Sequence, residues 1–270
     1  MTSRVSIGAD PELFAFNGNI PISVHNLLPG TKADPVKVPR GAIQVDGVAA
    51  EFNIEPAYTR KDFIKNITHV RKLLQLLLAQ KQPTLILKAV PTVVFQSSYF
   101  SNLPAEALAL GCEPDFNAYT GAKNPKPETV LPMRTGSGHI HIGWLGCEQL
   151  RKADEKSYMH MVQTIVKELD FVLYRSSHVW DMDNQRRTLY GEPGAFRYKP
   201  YGLEYRVLSN AWLNHENLMA YVFDATQAVT NMVLLGRTPS ILVNNQELGW
   251  GEYNDYLRKC KIPSIQDYKF

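Results

Sequence analysis

The sequence predicts an α+β protein with a mostly antiparallel sheet and helices packed on it. Three long stretches repeat apolar residues at helical spacing, short β-branched runs lie between them, and no regular strand–helix alternation or glycine-rich phosphate loop appears. Taken in chain order, residues 43–54 read as a strand. A helix follows over 62–80, with Phe63, Ile67, Val70, Leu74, Leu77 and Leu78 on one face and Thr59 with Asp62 as its capping pair. Strand-like runs at 84–94 and 139–144 precede a second helix over 149–173, whose face carries Met161, Ile165, Leu169 and Val172. A last strand covers 203–208, and a third helix runs over 216–235 before Gly236, a natural C-terminal cap. With no linker composition anywhere, residues 1–270 are expected to form one unit.

Composition narrows the function. Apolar residues are 44% of the chain, enough for a sizeable core, and a net charge of +3 without any Lys/Arg run argues against a dedicated nucleic-acid surface. The start lacks the order of a secretory signal, and no apolar run approaches the ~20 residues of a membrane span. Cys112, Cys147 and Cys260 are odd in number and widely spaced, as in reduced intracellular thiols. The expectation is a soluble cytoplasmic protein. GADPELFAF near the start is echoed by GCEPDFNAY at 111–119, too short a match to establish a duplication, and the roles of Glu113 and Asp115 in it are left open.

The chemistry concentrates where acids or histidines stand two apart in strand-like surroundings, because i and i+2 on a strand point to one face. Asp10 and Glu12 form one such pair, which also reads as an ordinary Asp-Pro turn. VDGVAAEFNIEP places Asp46 and Glu51 among core residues; Asp46-Gly47 is equally a turn dipeptide, whereas Glu51 beside Phe52 needs a partner if buried. In RTGSGHIHIG, Ser137 lies between glycines that would let backbone amides approach phosphate, and His139 and His141 share a strand face. His-x-His alone fits a zinc pair as well as a structural strand. Residues 190–210 add Arg197, Glu204 and Arg206, with Arg186 and Arg187 upstream; Glu204 and Arg206 alone would be an intrastrand ion pair. Many carboxylates favour Mg²⁺ or Mn²⁺ over zinc, and arginines without an evident nucleophile suit phosphoryl transfer.

Taken jointly, GADPELF, VDGVAAEFNIEP, GCEPDFNAY, RTGSGHIHIG and the 190–210 stretch resemble the phage-type COOH–NH₂ ligases (amidoligases) of the glutamine synthetase and glutamate–cysteine ligase superfamily. The resemblance implies a glutamine synthetase-like catalytic domain, its curved sheet carrying helices on the outer face. It implies an ATP- and Mg²⁺-dependent carboxylate–amine ligase working through an acyl phosphate, in a host cytoplasm if phage-encoded. Glu12 and Glu51 would hold one metal ion, with Asp46 a further ligand. Asp10, His139 and Glu204 would hold the ion that bridges the ATP phosphates. His141 and Ser137 would lie near the nucleotide, Arg206 would steady the transferring phosphoryl group, and Arg187 and Arg197 would make the remaining phosphate or carboxylate contacts. Asp10 is shorter than the Glu usual in glutamine synthetases, the Asp46–Glu51 spacing is shorter too, and one residue is missing before His139. The substrates implied are a carboxylate and an amine: an amino acid, peptide, cell-wall component or modified nucleobase. Two other readings remain: a metal-dependent hydrolase built on the His-x-His pair, and a non-catalytic nucleotide-binding relic of the fold.

Overall fold

The computed structural model describes residues 5–108, 115–125, 132–242 and 248–270. β1 (Val5–Ala9) passes through Asp10-Pro11 into β2 (Glu12–Asn17), which hairpins into β3 (Ile20–Ile22). β4 (Val36–Val38), β5 (Gly41–Asp46) and β6 (Ala49–Ile54) precede α1 (Arg60–Lys81), β7 (Leu85–Lys88) and β8 (Thr92–Val94). Then come α2 (Ser97–Ser101), α3 (Ala105–Leu108), β9 (Phe116–Asn117), β10 (Met133–Thr135) and β11 (Ile140–Trp144). α4 (Cys147–Ala153) and α5 (Glu155–Leu169) lead through a π-helical turn, Asp170–Tyr174, into α6 (Arg175–Ser177). α7 (Asn184–Leu189), β12 (Ala195–Lys199), β13 (Gly202–Tyr205), α8 (Glu216–Leu234), α9 (Pro239–Leu242) and α10 (Trp250–Lys259) follow.

The α+β class is as expected, and every strand ladder among the described residues is antiparallel. One sheet runs β1-β11-β13-β12-β9; a second runs β3-β2-β6-β5-β4, with β7 also on β2; β10 and β8 form a small third. Alternation along the strands divides the first sheet into two faces. Val5, Ile7, Ile140, Ile142, Leu203, Tyr205 and Phe196 are buried in the main core. The intervening positions Gly8, His141, Glu204 and Arg197 stand side by side across four strands. Helix α1 packs on β5, β6 and β7, α5 on β12 and β13, and α8 on β1. Among the described residues no helix is long and apolar enough to cross a membrane.

Several element boundaries differ from expectation for local reasons. The 43–54 strand is a two-residue hairpin in which Asp46 pairs with Ala49 and Gly47 takes a φ of +59°. The 84–94 strand is split between sheets, with Pro91, which has no N–H to donate, just before β8. The 149–173 helix breaks at Asp154, whose carboxylate accepts the Ser157 N–H at 3.0 Å and so starts α5 afresh. Its buried face is Tyr158, Val162, Ile165, Val166 and Leu169, with Met161 only half-buried. The other ends hold: Thr59 caps α1 through the Asp62 N–H, and α8 closes with Gly236 at φ +72°. The Gly236 N–H reaches the Val233 carbonyl and Arg237 N–H the Met232 carbonyl, the two bonds of a Schellman closure. The first half of the 111–119 echo, with Glu113, lies outside the described residues.

Candidate functional site

The polar face of the first sheet and the strand pair β5–β6 enclose a cavity of about 520 Å³. Asp10, Glu12, Asp46, Glu51, His139, His141, Arg197, Glu204 and Arg206, all named from sequence, line it. Two groups of ligand atoms, each within 4.8 Å of one another, stand out among the described residues: Asp10, His141 and Glu204, and Glu12, Asp46 and Glu51.

In the first group, Asp10 Oδ1 lies 3.1 Å from His141 Nε2 and 3.5 Å from His139 Nδ1. Burial works to raise the Asp10 carboxyl, but His141 and then His139 outweigh it and hold it well below the usual carboxylate range. Burial works against the His141 imidazolium, yet Asp10 prevails and its pKa is raised. His139 goes the other way: burial, then the Arg206 charge, pushes it down to about 3. His139 is therefore a neutral imidazole, its Nδ1 3.5 Å from both Asp10 Oδ1 and Glu204 Oε1, and His141, expected near the nucleotide, is the histidine whose ligand atom groups with those of Asp10 and Glu204.

Glu204, 1% exposed, is surrounded by cations. Lys199 Nζ is 2.6 Å from its Oε2, Arg206 Nη1 donates to Oε1, and Arg197 Nη1 stands 3.8 Å away. Burial and the Asp10 charge still raise its carboxyl against His141 and Lys199. Arg206 is held on three sides, by Glu204, by the Tyr190 hydroxyl and by Asp115, whose Oδ1 is 2.6 Å from Nε. Asp115 also meets Arg197 Nε at 3.4 Å, so this acid lines up both arginines. Burial raises Asp115, opposed by those two guanidiniums.

The second group is almost wholly anionic. Burial, then the Asp46 charge, raises Glu12 to about 7, although the Ser137 N–H donates to its Oε2 at 2.9 Å. Burial, then Asp10, Glu12 and Asp46, places Glu51 well above the ordinary value. Among the described residues the cation within ion-pair reach is the half-exposed Lys32, 3.7 Å from Asp46. Three crowded carboxylates, Glu12 and Glu51 among them with raised pKa values, and the buried His139 Nε2 without a hydrogen-bond partner, fit hard divalent cations.

Two expected residues are directed elsewhere. Arg187 donates to the Ser177 hydroxyl and the Asp181 carbonyl, at 3.1 and 2.9 Å, and does not line the cavity. The glycines flanking Ser137 make room for neighbouring backbone and side chains. A Cβ at Gly136 would collide with Asn210, and one at Gly138 with the Ser209 carbonyl and the Trp212 indole. Ser137 itself is buried and pairs with Ser209. Lys199, Tyr201, Gln44 and Asn53 line the cavity and were not singled out from sequence. Lys199, Gln44 and Asn53 each stand two residues from one that was, so strand alternation from Arg197, Asp46 and Glu51 points to them; Tyr201 lies on the turn beyond β12, where alternation gives no signal.

Compared with known proteins, no protein-family model and no curated protein matches the chain. Among solved structures it is similar to a chain in the complex between Prokaryotic Ubiquitin-like Protein Pup and its ligase PafA, with a TM-score of 0.38 and 11% identity. The match covers 85% of this chain and 47% of that one, so this chain spans about half the length of the chain it matches. A likeness that faint assigns no activity here.

Proposed function

We propose that the chain is an ATP- and Mg²⁺-dependent carboxylate–amine ligase acting as one catalytic unit. The observation that carries this reading is the pair of cation-fitting groups in one cavity, with Arg197, Lys199 and Arg206 on the same sheet face. Seven ligand candidates, five of them carboxylates, make an oxygen-rich set suited to Mg²⁺ or Mn²⁺ rather than zinc. Glu12, Asp46 and Glu51 would hold one ion; Asp10, His141 and Glu204, with His139 beside them, the other. Bound there, the cations would neutralise phosphate oxygens and favour phosphoryl transfer.

The chain's own groups position and stabilise. A substrate carboxylate oxygen attacks the γ-phosphorus of ATP, the bond to the bridging oxygen breaks, and ADP leaves with the electron pair. The amine nitrogen then attacks the acyl carbon, the carbon–oxygen bond to phosphate breaks, and the nitrogen gives up a proton. Arg197 and Lys199 face the cavity as donors to the transferring phosphoryl oxygens. Arg206, fixed by Tyr190 and Asp115, supplies a preorganised positive charge at no reorganisation cost. His141 thus moves from nucleotide contact to ligand, and Arg187 and Ser137 serve the structure.

The test is to incubate the purified chain with ATP, Mg²⁺ and pooled amino acids and amines, with Glu204→Ala as control. ADP and phosphate that require the pool and vanish in the variant are expected. AMP with pyrophosphate would replace the acyl-phosphate route by adenylation.

A further inference from the structure

Tyr201 stands on the turn between β12 and β13, next to the strand end that carries Lys199. That turn is fastened through its backbone. The Tyr158 hydroxyl of α5 lies 2.8 Å from the Lys199 carbonyl and 2.9 Å from the Gly202 carbonyl, sharing its proton between them. The Trp144 N–H donates to the Tyr201 carbonyl at 3.4 Å. Gly202 sits so close to β11 that any side chain there would strike the Ile142 carbonyl.

From this held turn the Tyr201 hydroxyl reaches His141 Nδ1 at 2.5 Å, the rings 6.1 Å apart. The other imidazole nitrogen, Nε2, faces Asp10 Oδ1 at 3.1 Å. A neutral imidazole offers one N–H and one lone pair, and the partner of the first nitrogen decides what the second presents. We infer that Tyr201 is a positioning residue: by accepting the Nδ1–H of His141, it turns the Nε2 lone pair toward a divalent cation shared with Asp10 and Glu204. The role rests on the ligase reading of that group. Among the described residues the hydrogen bond of the Tyr201 hydroxyl is to His141. Tyr201 is 45% exposed, and its turn is secured by main-chain bonds that phenylalanine would leave intact.

The experiment is Mn²⁺ binding to the full chain, comparing wild type with Tyr201→Phe and His141→Ala. Calorimetry reads affinity, and nitrogen electron spin echo modulation reads an imidazole on the bound ion. The wild type should show the modulation and His141→Ala should lose it. Tyr201→Phe should melt like the wild type, bind Mn²⁺ about 10-fold more weakly at one site, and change the modulation of the remote nitrogen, whose N–H then faces water. Unchanged affinity and modulation in Tyr201→Phe, with the wild-type signal present, would overturn the role of Tyr201 and leave the metal group standing. A wild type that binds Mn²⁺ without any imidazole signal, or not at all, would overturn this role together with the cation-site reading on which it rests.

Discussion

The two acid groups in the cavity solve the problem of buried negative charge in opposite ways. Around Asp10 and Glu204 the chain supplies its own cations: Lys199, Arg197 and Arg206 lie within 4.0 Å of Glu204, and the His141 imidazole lies beside Asp10. Around Glu12, Asp46 and Glu51 it supplies the exposed Lys32 and a backbone N–H. The carboxyl pKa values follow only at Asp10, which lies well below the ordinary range; burial raises Glu204 as it raises Glu12 and Glu51. A protein cation favours the ionised acid and burial opposes it; an acid cluster without a close cation favours holding protons until a metal ion takes their place. The first group would take up its ion among cations the chain already holds, and the second in place of protons.

The comparison breaks most visibly at Glu204. Glu204→Ala leaves Arg206 and Lys199 facing a buried void, so the variant should lose about 3 kcal/mol of stability by urea unfolding, and turnover should fall about 100-fold or more. Near-normal turnover would remove Glu204 from the site. The second group is sharpened by pH. The Glu12 carboxyl stands at about 7 in the fold against an ordinary 4.5, so between those values the folded chain keeps a proton that the unfolded chain releases. Stability of the chelator-treated protein should therefore fall as pH rises through that window, by about 3 kcal/mol for this group, and level off above it. Saturating Mg²⁺ should flatten or reverse the slope; equal slopes with and without Mg²⁺ would take this group out of the metal reading. Glu51→Gln should relieve repulsion and stabilise the metal-free protein by about 1 kcal/mol while weakening Mn²⁺ binding in calorimetry, the reverse of the Glu204 result. The smallest effect belongs to Arg187→Ala. With its donors on Ser177 and Asp181, it should cost about 1 kcal/mol in melting and leave ATP affinity within about twofold.

Much of the site was readable because strand alternation is a strict rule. Asp10, Glu12, Glu51, His141, Glu204 and Arg197 reach one cavity as an i, i+2 pattern requires. The same rule, carried one step further from Arg197 or Glu51, leads to Lys199 and Asn53. Alternation gives a face but not a partner: Asp10 lies within 3.5 Å of both histidines, while Arg206 lies against His139 and Tyr201 against His141, a matter of sheet register. Ser137 and Arg187 rest on a different kind of signal. Glycines beside a serine and paired arginines state what a residue can do, and the packing of Asn210, Trp212 and Asp181 decides what it does. The breaks at Asp46-Gly47 and Asp154 were local signals overshadowed by long apolar runs, and both turn on a short acidic side chain at an element end.

Asp10 closes β1 and Glu12 opens β2, so the two acid groups belong to different sheets yet are joined by a single proline. Asp10 N–H donates to the His139 carbonyl, Glu12 N–H to that of Ser137, and the Pro11 carbonyl accepts from Phe52. Two residues of chain thus tie the two groups together, with the Asp10 and Glu12 Cα atoms no more than about 7 Å apart. If the sheets flex against one another, that tether limits how far these two acids can part.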